Sequence, residues 1–336
     1  MKTNENKYIR FGVIGAGGFA DKRALPAFKK SEQFILDAVM VRDRERAKQI
    51  ATRHGAEKYY DTIEDLLHDD DIDAVYICTP VYLHHSQTLD AIEAGKHVFC
   101  EKPMALSENE CQEMIDAAQM RNVKIGINFQ MRCHAGFTQL KSMIEDGQFG
   151  NIYLIRTQLH LSYPPDKNLQ WRYQPDKSGG GVIMDVGSHC LDLLEFFGGN
   201  ISSVHCLTEK RQQNKVEDLA ITMVRFENGA VGISDNSFLT DDRVNIIEIY
   251  GDRMTVLGLN AIGPFESPDF YVVKEGETEP VPTKWVNPYT RIIDEFIQAI
   301  VDGENIPVNG MIGKRNIQII KAAYQSAQSG KFVNVC

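Results

Sequence analysis

No two cysteines are spaced C-x-x-C, no apolar run reaches the ~18 residues a membrane span needs, and positive charge is in deficit. Each absence removes a class of protein. The seven cysteines, at positions 78, 100, 111, 133, 190, 206 and 336, are odd in number and widely scattered. They make neither a disulfide framework nor a zinc-ligand pattern, and they fit free thiols in a reducing cytosol. Cys78 and Cys100 lie inside apolar runs and read as small core residues. The opening MKTNENKYIRFGV lacks the apolar stretch of a signal peptide, so a soluble, cytoplasmic protein with no membrane partner is expected. With 36 Lys and Arg against 46 Asp and Glu, the formal charge is −10. That balance argues against nucleic acid as a partner, since phosphate contacts need clustered cations. Internal repeats and long linkers are missing as well.

What is present is two rhythms. At roughly 150 residues per domain, 336 residues suggest two domains. In the first, short apolar runs at Ile9–Ile14, Ile35–Val41, Ala74–Cys78, Val98–Cys100 and Lys124–Ile127 alternate with helix-like stretches. Those stretches are Ala20–Lys30, Asp43–His54 opened by an Asp cap, His84–Ala94 stopped by Gly95, and a helix capped by Ser107 with Glu110 in the capping-box position. Strands buried on both faces and joined by helices predict a doubly wound parallel sheet. After about residue 150, longer strands at Asn151–Leu161, Ser203–Arg211, Asp218–Phe226, Ala230–Phe238 and Asn245–Tyr250 follow one another without helices between most of them. Helices there are expected only at Gly187–Phe197, Pro288–Val301 and Met311–Ser329. The fold class is α/β: an N-terminal dinucleotide-type domain over 1–126 and a C-terminal α+β domain over 127–336 with a large, mostly antiparallel sheet.

Directly after the first strand comes Gly15-Ala16-Gly17-Gly18-Phe19-Ala20, a G-x-G-x-x-A pattern. Gly15 permits a tight strand-to-helix turn, Gly17 lets backbone approach a pyrophosphate, and Ala20 lets the helix pack closely. The helix N-terminus beyond offers N–H groups to the diphosphate. NAD-type sites place an acid at the end of the second strand for the ribose hydroxyls. Here that strand ends Met40-Val41-Arg42, and Asp43 reads as a helix cap. Arg42, with Arg46 one turn on, suits a 2′-phosphate through a guanidinium fork. The pattern favours NADP(H) and leaves NAD(H) open.

Two segments carry the chemistry. Glu101-Lys102-Pro103 follows a strand, placing Lys102 at the ligand-binding edge of the sheet, and Pro103 can follow a cis peptide. Further on, Gly179-Gly180-Gly181 allow close backbone approach, to a cofactor or to another segment, and lead into Asp185 and His189. Four residues apart on a helical turn, those two share a face and suit an acid/base pair. No further His or Cys cluster completes a metal site, so no metal is expected.

These spacings, together with Thr79-Pro80 and His84, Ala94-Gly95-Lys96-His97-Val98, Trp171-Arg172 and the closing Ala322-Ala323-Tyr324-Gln325-Ser326-Ala327, resemble the Gfo/Idh/MocA family (glucose–fructose oxidoreductase, inositol dehydrogenase, rhizopine catabolism) from about residue 8 to 334. The resemblance implies a Rossmann domain and an oxidoreductase moving hydride between a nicotinamide and a sugar, keto-sugar or cyclitol. It makes Lys102, Asp185 and His189 the catalytic set. Gly15 to Ala20, Arg42, Arg46, Thr79, Pro80, His84, Glu101, Lys102, Trp171 and Arg172 become the cofactor residues. Substrate contacts then fall to Lys102, Asp185 and His189 with Gln130, Tyr163 and Tyr289, and Arg132 is a weaker candidate for lining the pocket. A homodimer or homotetramer is implied through the second-domain sheet.

The chain departs from the family pattern at Val81, where Asn is frequent, and at Val41, where an acid is frequent. An ordinary imidazole titrates near ~6.5 and an ordinary lysine near ~10.4, which gives the proton to His189 and the electrostatic role to Lys102. Two other readings stay in view: a regulator that binds dinucleotide without chemistry, and a glycosidase that oxidises its sugar only transiently. Retention of Lys102, Asp185 and His189 together argues against the first.

Overall fold

The computed structural model describes residues 8–163, 167–212, 215–240, 245–263 and 269–335, with side chains from 167 to 169 left aside. Contacts divide the chain into two compact units, Met1–Gln130 with Asn287–Lys314, and Met131–Val286 with Arg315–Cys336. The single division expected at 126/127 therefore falls a few residues later, and Asn287–Lys314 belongs with the first unit. That return is invisible in the sequence, because the apolar stripe Ile292, Ile293, Phe296 and Ile297 on the helix Pro288–Asp302 does not say which sheet it covers. In the structure it covers the first: a Cβ on Gly126 would lie 2.6 Å from Phe296 Cδ2, and Ile127 N–H donates to the Val308 carbonyl at 2.9 Å.

The first unit is a six-stranded sheet, wholly parallel, of β1 (Ile9–Ile14), β2 (Phe34–Met40), β3 (Lys58–Tyr60), β4 (Ala74–Ile77), β5 (His97–Cys100) and β6 (Ile125–Ile127). Its order, β3-β2-β1-β4-β5-β6, reverses direction between β1 and β4, the crevice where such sheets bind ligands. β4 is buried at every position, as a strand covered on both faces must be. Asp43 caps the helix Arg44–His54 by accepting from Arg46 N–H at 3.0 Å. Ser107 and Glu110 form the full reciprocal capping box of Glu108–Arg121. The helix expected over Ala20–Lys30 forms over Ala20–Phe28, its first part π-type, Ala20–Ala24, and running directly into Leu25–Phe28. Three-residue β3, half-buried at the sheet edge, has no apolar run to betray it.

The second unit is a nine-stranded sheet ordered β14-β13-β12-β11-β7-β10-β9-β8-β15. Its strands are β7 (Ile152–His160), β8 (Ile201–Glu209), β9 (Leu219–Phe226), β10 (Val231–Ser237), β11 (Ile246–Gly251), β12 (Thr255–Leu259), β13 (Asp269–Lys274), β14 (Glu277–Pro280) and β15 (Val333–Asn334). Only β7 and β10 pair in parallel; the other described pairings are antiparallel, as expected. Burial alternates along β9, with Ala220, Thr222, Val224 and Phe226 turned inward. The helix Ser188–Gly198 lies on that inner face, since a Cβ on Gly232 of β10 would sit 3.2 Å from Leu194. Beyond the three helices expected after residue 150, a single turn forms at Pro175–Ser178. The helix Ala135–Glu145 was also not anticipated, because its cap is an unusual one, His134, accepting from Gly136 N–H at 3.1 Å.

The six described cysteines are free thiols; Cys336 lies outside the described residues. Among the described residues no helix is long and apolar enough to cross a membrane.

Candidate active site

In the first unit the glycine turn is built around what stands next to it. Gly15 has φ +81°, and a Cβ there would meet Thr79 Cγ2 at 2.7 Å and the Cys78 carbonyl at 2.9 Å. Any side chain would push apart the β1 and β4 loops at the switch point. Gly15 and Ala16 N–H both donate to the Met40 carbonyl, at 3.0 and 3.1 Å, so the turn is also fixed to the end of β2. Gly18 has φ +57° and Ala20 is fully buried. A Cβ on Gly17 would lie 3.0 Å from Arg46 Nη2, which places an exposed guanidinium against the open backbone of the glycine turn. Neighbouring Arg44 is neutralised by Asp61 at 3.0 Å. Arg42 is exposed, and among the described residues neither it nor Arg46 has an ion pair.

Phe19, 40% exposed, touches the Tyr289 ring at 5.9 Å between centroids, and the Tyr289 hydroxyl accepts from Gln130 Nε2 at 3.0 Å. Three residues expected separately are thus brought together beside the glycine turn. Asn287 fixes Tyr289 by capping its helix at 3.0 Å, a contribution not picked out from the sequence.

Thr79 donates to Gln87 Oε1 at 2.7 Å, and Pro80 leads into the short turn Val81–Leu83, with Val81 buried. His84 does not behave as a cofactor ligand. It is 1% exposed, its Nε2 lies 2.9 Å from the Thr79 carbonyl and its Nδ1 2.9 Å from that of Pro103. The ring stands between the loop after β4 and the loop after β5, its single N–H free to donate to one of the two carbonyls, and burial pushes its pKa down. Glu101 likewise turns inward. Its Oε1 accepts from Tyr76 at 2.5 Å and from Asn128 Nδ2 at 2.6 Å, and its Oε2 from Lys102 N–H at 3.3 Å. Burial raises its pKa while those donors oppose the rise. Glu101 therefore anchors the Lys102 loop from below, where the motif placed it among cofactor contacts. Lys102 is partly exposed and its bond to Pro103 is cis. Lys96, from the Gly-Lys-His motif, is architectural too: its ammonium donates to the Asp69 and Ile72 carbonyls, both at 2.8 Å.

In the second unit Gly180 and Gly181 serve another segment, while Gly179, at φ +75°, closes the turn Pro175–Ser178. A Cβ on Gly180 would fall 1.9 Å from the Tyr324 hydroxyl, and one on Gly181 1.9 Å from the Glu217 carbonyl. Glu217, 6% exposed, accepts from Gly181 N–H at 3.0 Å, Ile183 N–H at 3.2 Å and Tyr324 at 2.7 Å. That node fixes the π-type turn Ile183–Gly187, on which Asp185 stands, and the helix Ser188–Gly198, whose first turn carries half-buried His189.

The Asp185 carboxylate meets Arg172 and Tyr163. Its Oδ2 accepts from Arg172 Nη1 at 2.6 Å and from the Tyr163 hydroxyl at 2.9 Å. The guanidinium expected at the cofactor is thus engaged inside the second unit, and Trp171 stacks on it at 4.7 Å. Burial and the adjacent Asp185 push the Tyr163 phenol up. Arg132 pairs with buried Asp192 through Nε at 2.9 and 3.0 Å, a structural bond.

Residues 9–129 match the model of an oxidoreductase family with an NAD-binding Rossmann fold, and residues 137–257 match the GFO/IDH/MocA C-terminal domain. The 1,5-anhydro-D-fructose reductase of Ensifer adhaerens is 30% identical over 97% of this chain and 98% of its own. Among solved structures, the aldose–aldose oxidoreductase of Caulobacter crescentus complexed with glycerol superposes with a TM-score of 0.91 at 25% identity, covering 97% of this chain and 99% of that one. A levoglucosan dehydrogenase complexed with NADH and levoglucosan gives 0.84 at 26% identity, covering 98% and 99%. With a 3-2-1-4-5-6 sheet, a glycine turn at its switch point and both domain models matched, the chain belongs to the Gfo/Idh/MocA family of oxidoreductases.

Proposed function

We propose that this oxidoreductase transfers hydride between NADP(H) and the carbinol or carbonyl carbon of a sugar, keto-sugar or cyclitol in the cytoplasm. The observation that carries the cofactor choice is the Arg46 guanidinium beside the open Gly17 backbone, with Arg42 exposed nearby and no acid at the end of β2. A cradle that a Cβ would fill, edged by two unneutralised arginines, fits a dinucleotide bearing a 2′-phosphate. Gly15 to Ala20 would hold the diphosphate and Arg42 and Arg46 the 2′-phosphate. The nicotinamide, when bound, supplies the hydride acceptor or donor.

The chain's own residues do the rest. In oxidation His189, as the neutral imidazole, takes the proton of the substrate hydroxyl, and the Lys102 ammonium steadies the oxygen as it gains charge. In reduction His189 returns the proton. Asp185 accepts from a substrate hydroxyl and orients the sugar. The sugar class is supported by relatives named for anhydrofructose, aldoses and levoglucosan. The cytoplasm is supported by six free thiols, five of them buried. Exposed Leu207, Ile221, Met223 and Val231, which stand on neighbouring strands of the nine-stranded sheet, support a homodimer or homotetramer, for which light scattering is the check.

The deciding assay follows absorbance at 340 nm with sugars, inositols and keto-sugars against each cofactor. Arg42→Ala and Arg46→Ala should each raise the KM for NADPH roughly tenfold or more and leave that for NADH unchanged. Turnover with NAD(H) alone would refute the role given to the arginines.

A further inference from the structure

Arg172 stands between two aromatic rings and an acid. Its guanidinium carbon lies 4.9 Å from the centroid of the Tyr163 ring and 4.7 Å from that of Trp171. Nη1 donates to Asp185 Oδ2 at 2.6 Å, and the Tyr163 hydroxyl donates to the same oxygen at 2.9 Å. The pair is mostly withdrawn from solvent, with side chains 22% and 17% exposed for Arg172 and Asp185. Tyr163 is itself held edge-on by Phe238 at 5.1 Å. Two donors converge on one carboxylate oxygen, and each donor is held by stacking, so the torsion of the Asp185 side chain is set and its charge is balanced locally. The backbone beneath is fixed independently, because Glu217 holds Gly181 and Ile183 N–H at the start of the turn. A carboxylate that must present an acceptor to a sugar hydroxyl gains from such restraint, because little reorientation is left to be lost on binding.

We infer that Arg172 and Tyr163 are positioning residues for Asp185, Arg172 acting as the counter-ion of the carboxylate instead of as a contact to the cofactor. The inference rests on Asp185 serving the substrate, as proposed above. It gives Trp171 the task of a platform under the guanidinium, and it places the selectivity for the sugar, not for the nicotinamide, under the control of the Trp171-Arg172 pair.

A double-mutant cycle on the full chain tests it, with Arg172→Ala, Asp185→Asn and the combination assayed separately for the KM of the cofactor and for kcat/KM of the sugar. Arg172→Ala should lower kcat/KM for the sugar roughly 10- to 100-fold, with the cofactor KM unchanged. In the Asp185→Asn background the same substitution should cost almost nothing, since the partner through which it acts is gone. Added methylguanidine should restore turnover to Arg172→Ala and not to the double variant. Losses that multiply in the double variant, or a raised cofactor KM from Arg172→Ala, would overturn the inference while leaving Asp185 in place. Full activity of Asp185→Asn would overturn it together with the reading beneath it. Arg172→Lys and Tyr163→Phe, which keep size and shape, carry the same comparison should the alanine variant fold poorly: both should lose sugar kcat/KM alone, and a change confined to cofactor KM would again overturn it.

Discussion

Glu101 lies almost wholly buried against the backbone of the Lys102 loop. Its carboxylate holds Tyr76, Asn128 and the Lys102 backbone, and two of those partners stand 25 and 27 residues away in the chain. Removing it leaves a hydroxyl and an amide, both on fully buried residues, without their acceptor. Glu101→Ala should therefore lose about 2–6 kcal/mol of unfolding free energy, at ~1–3 kcal/mol for each of the two buried donors left unpaired. Urea titration of the full chain reads it, and an unchanged midpoint would show that the network carries no weight. Lys102, Asp185 and His189 could be proposed from the sequence because an unusual combination of residues marks them. What His84, Glu101, Gly180 and Gly181 reach across the fold could not be read. Their distant partners, Pro103, Tyr76, Tyr324 and Glu217, lie 19 or more positions away, and no local spacing encodes such a pairing.

At the scale of the element, the ends of helices separate what could be read from what could not. Ser107 with Glu110 is a local signature and formed as expected, whereas His134 at the start of Ala135–Glu145 is not a residue that announces a cap. Its Nδ1 accepts from Gly136 N–H, which puts the proton of the neutral ring on Nε2, among Phe137, Phe270 and Trp285. The ring is 2% exposed, and burial pushes its pKa down to about 4. An unfolded chain protonates that imidazole near ~6.5, so the contribution to stability is complete above that pH and drains away as the pH falls towards 4. The full loss is about 3 kcal/mol. His134→Asn keeps an acceptor for the cap and removes the titration, so between pH 7 and pH ~4.5 its urea midpoint should fall less than that of the native chain. Equal falls would assign the acid sensitivity elsewhere.

For the whole molecule, the rhythm of strands and helices made both architectures legible, because parallel strands buried on two faces and alternating antiparallel strands leave different traces. The return of Asn287–Lys314 to the first unit left none. The deficit of positive charge takes on a narrower meaning once the residues are placed. A net charge of −10 argues against a broad phosphate-binding surface, and the function proposed above asks for cations at three points only, Arg42, Arg46 and Lys102. In the proposed reaction hydride passes between a nicotinamide and a sugar carbon with Lys102 and His189 assisting. NADPH carrying deuterium at both C4 positions, supplied with a keto-sugar that the absorbance panel shows to be reduced, tests this by mass spectrometry of the product. Deuterium is expected on the new carbinol carbon, with large losses of rate in Lys102→Ala and His189→Ala. An unlabelled product, or full turnover in both variants, would contradict it.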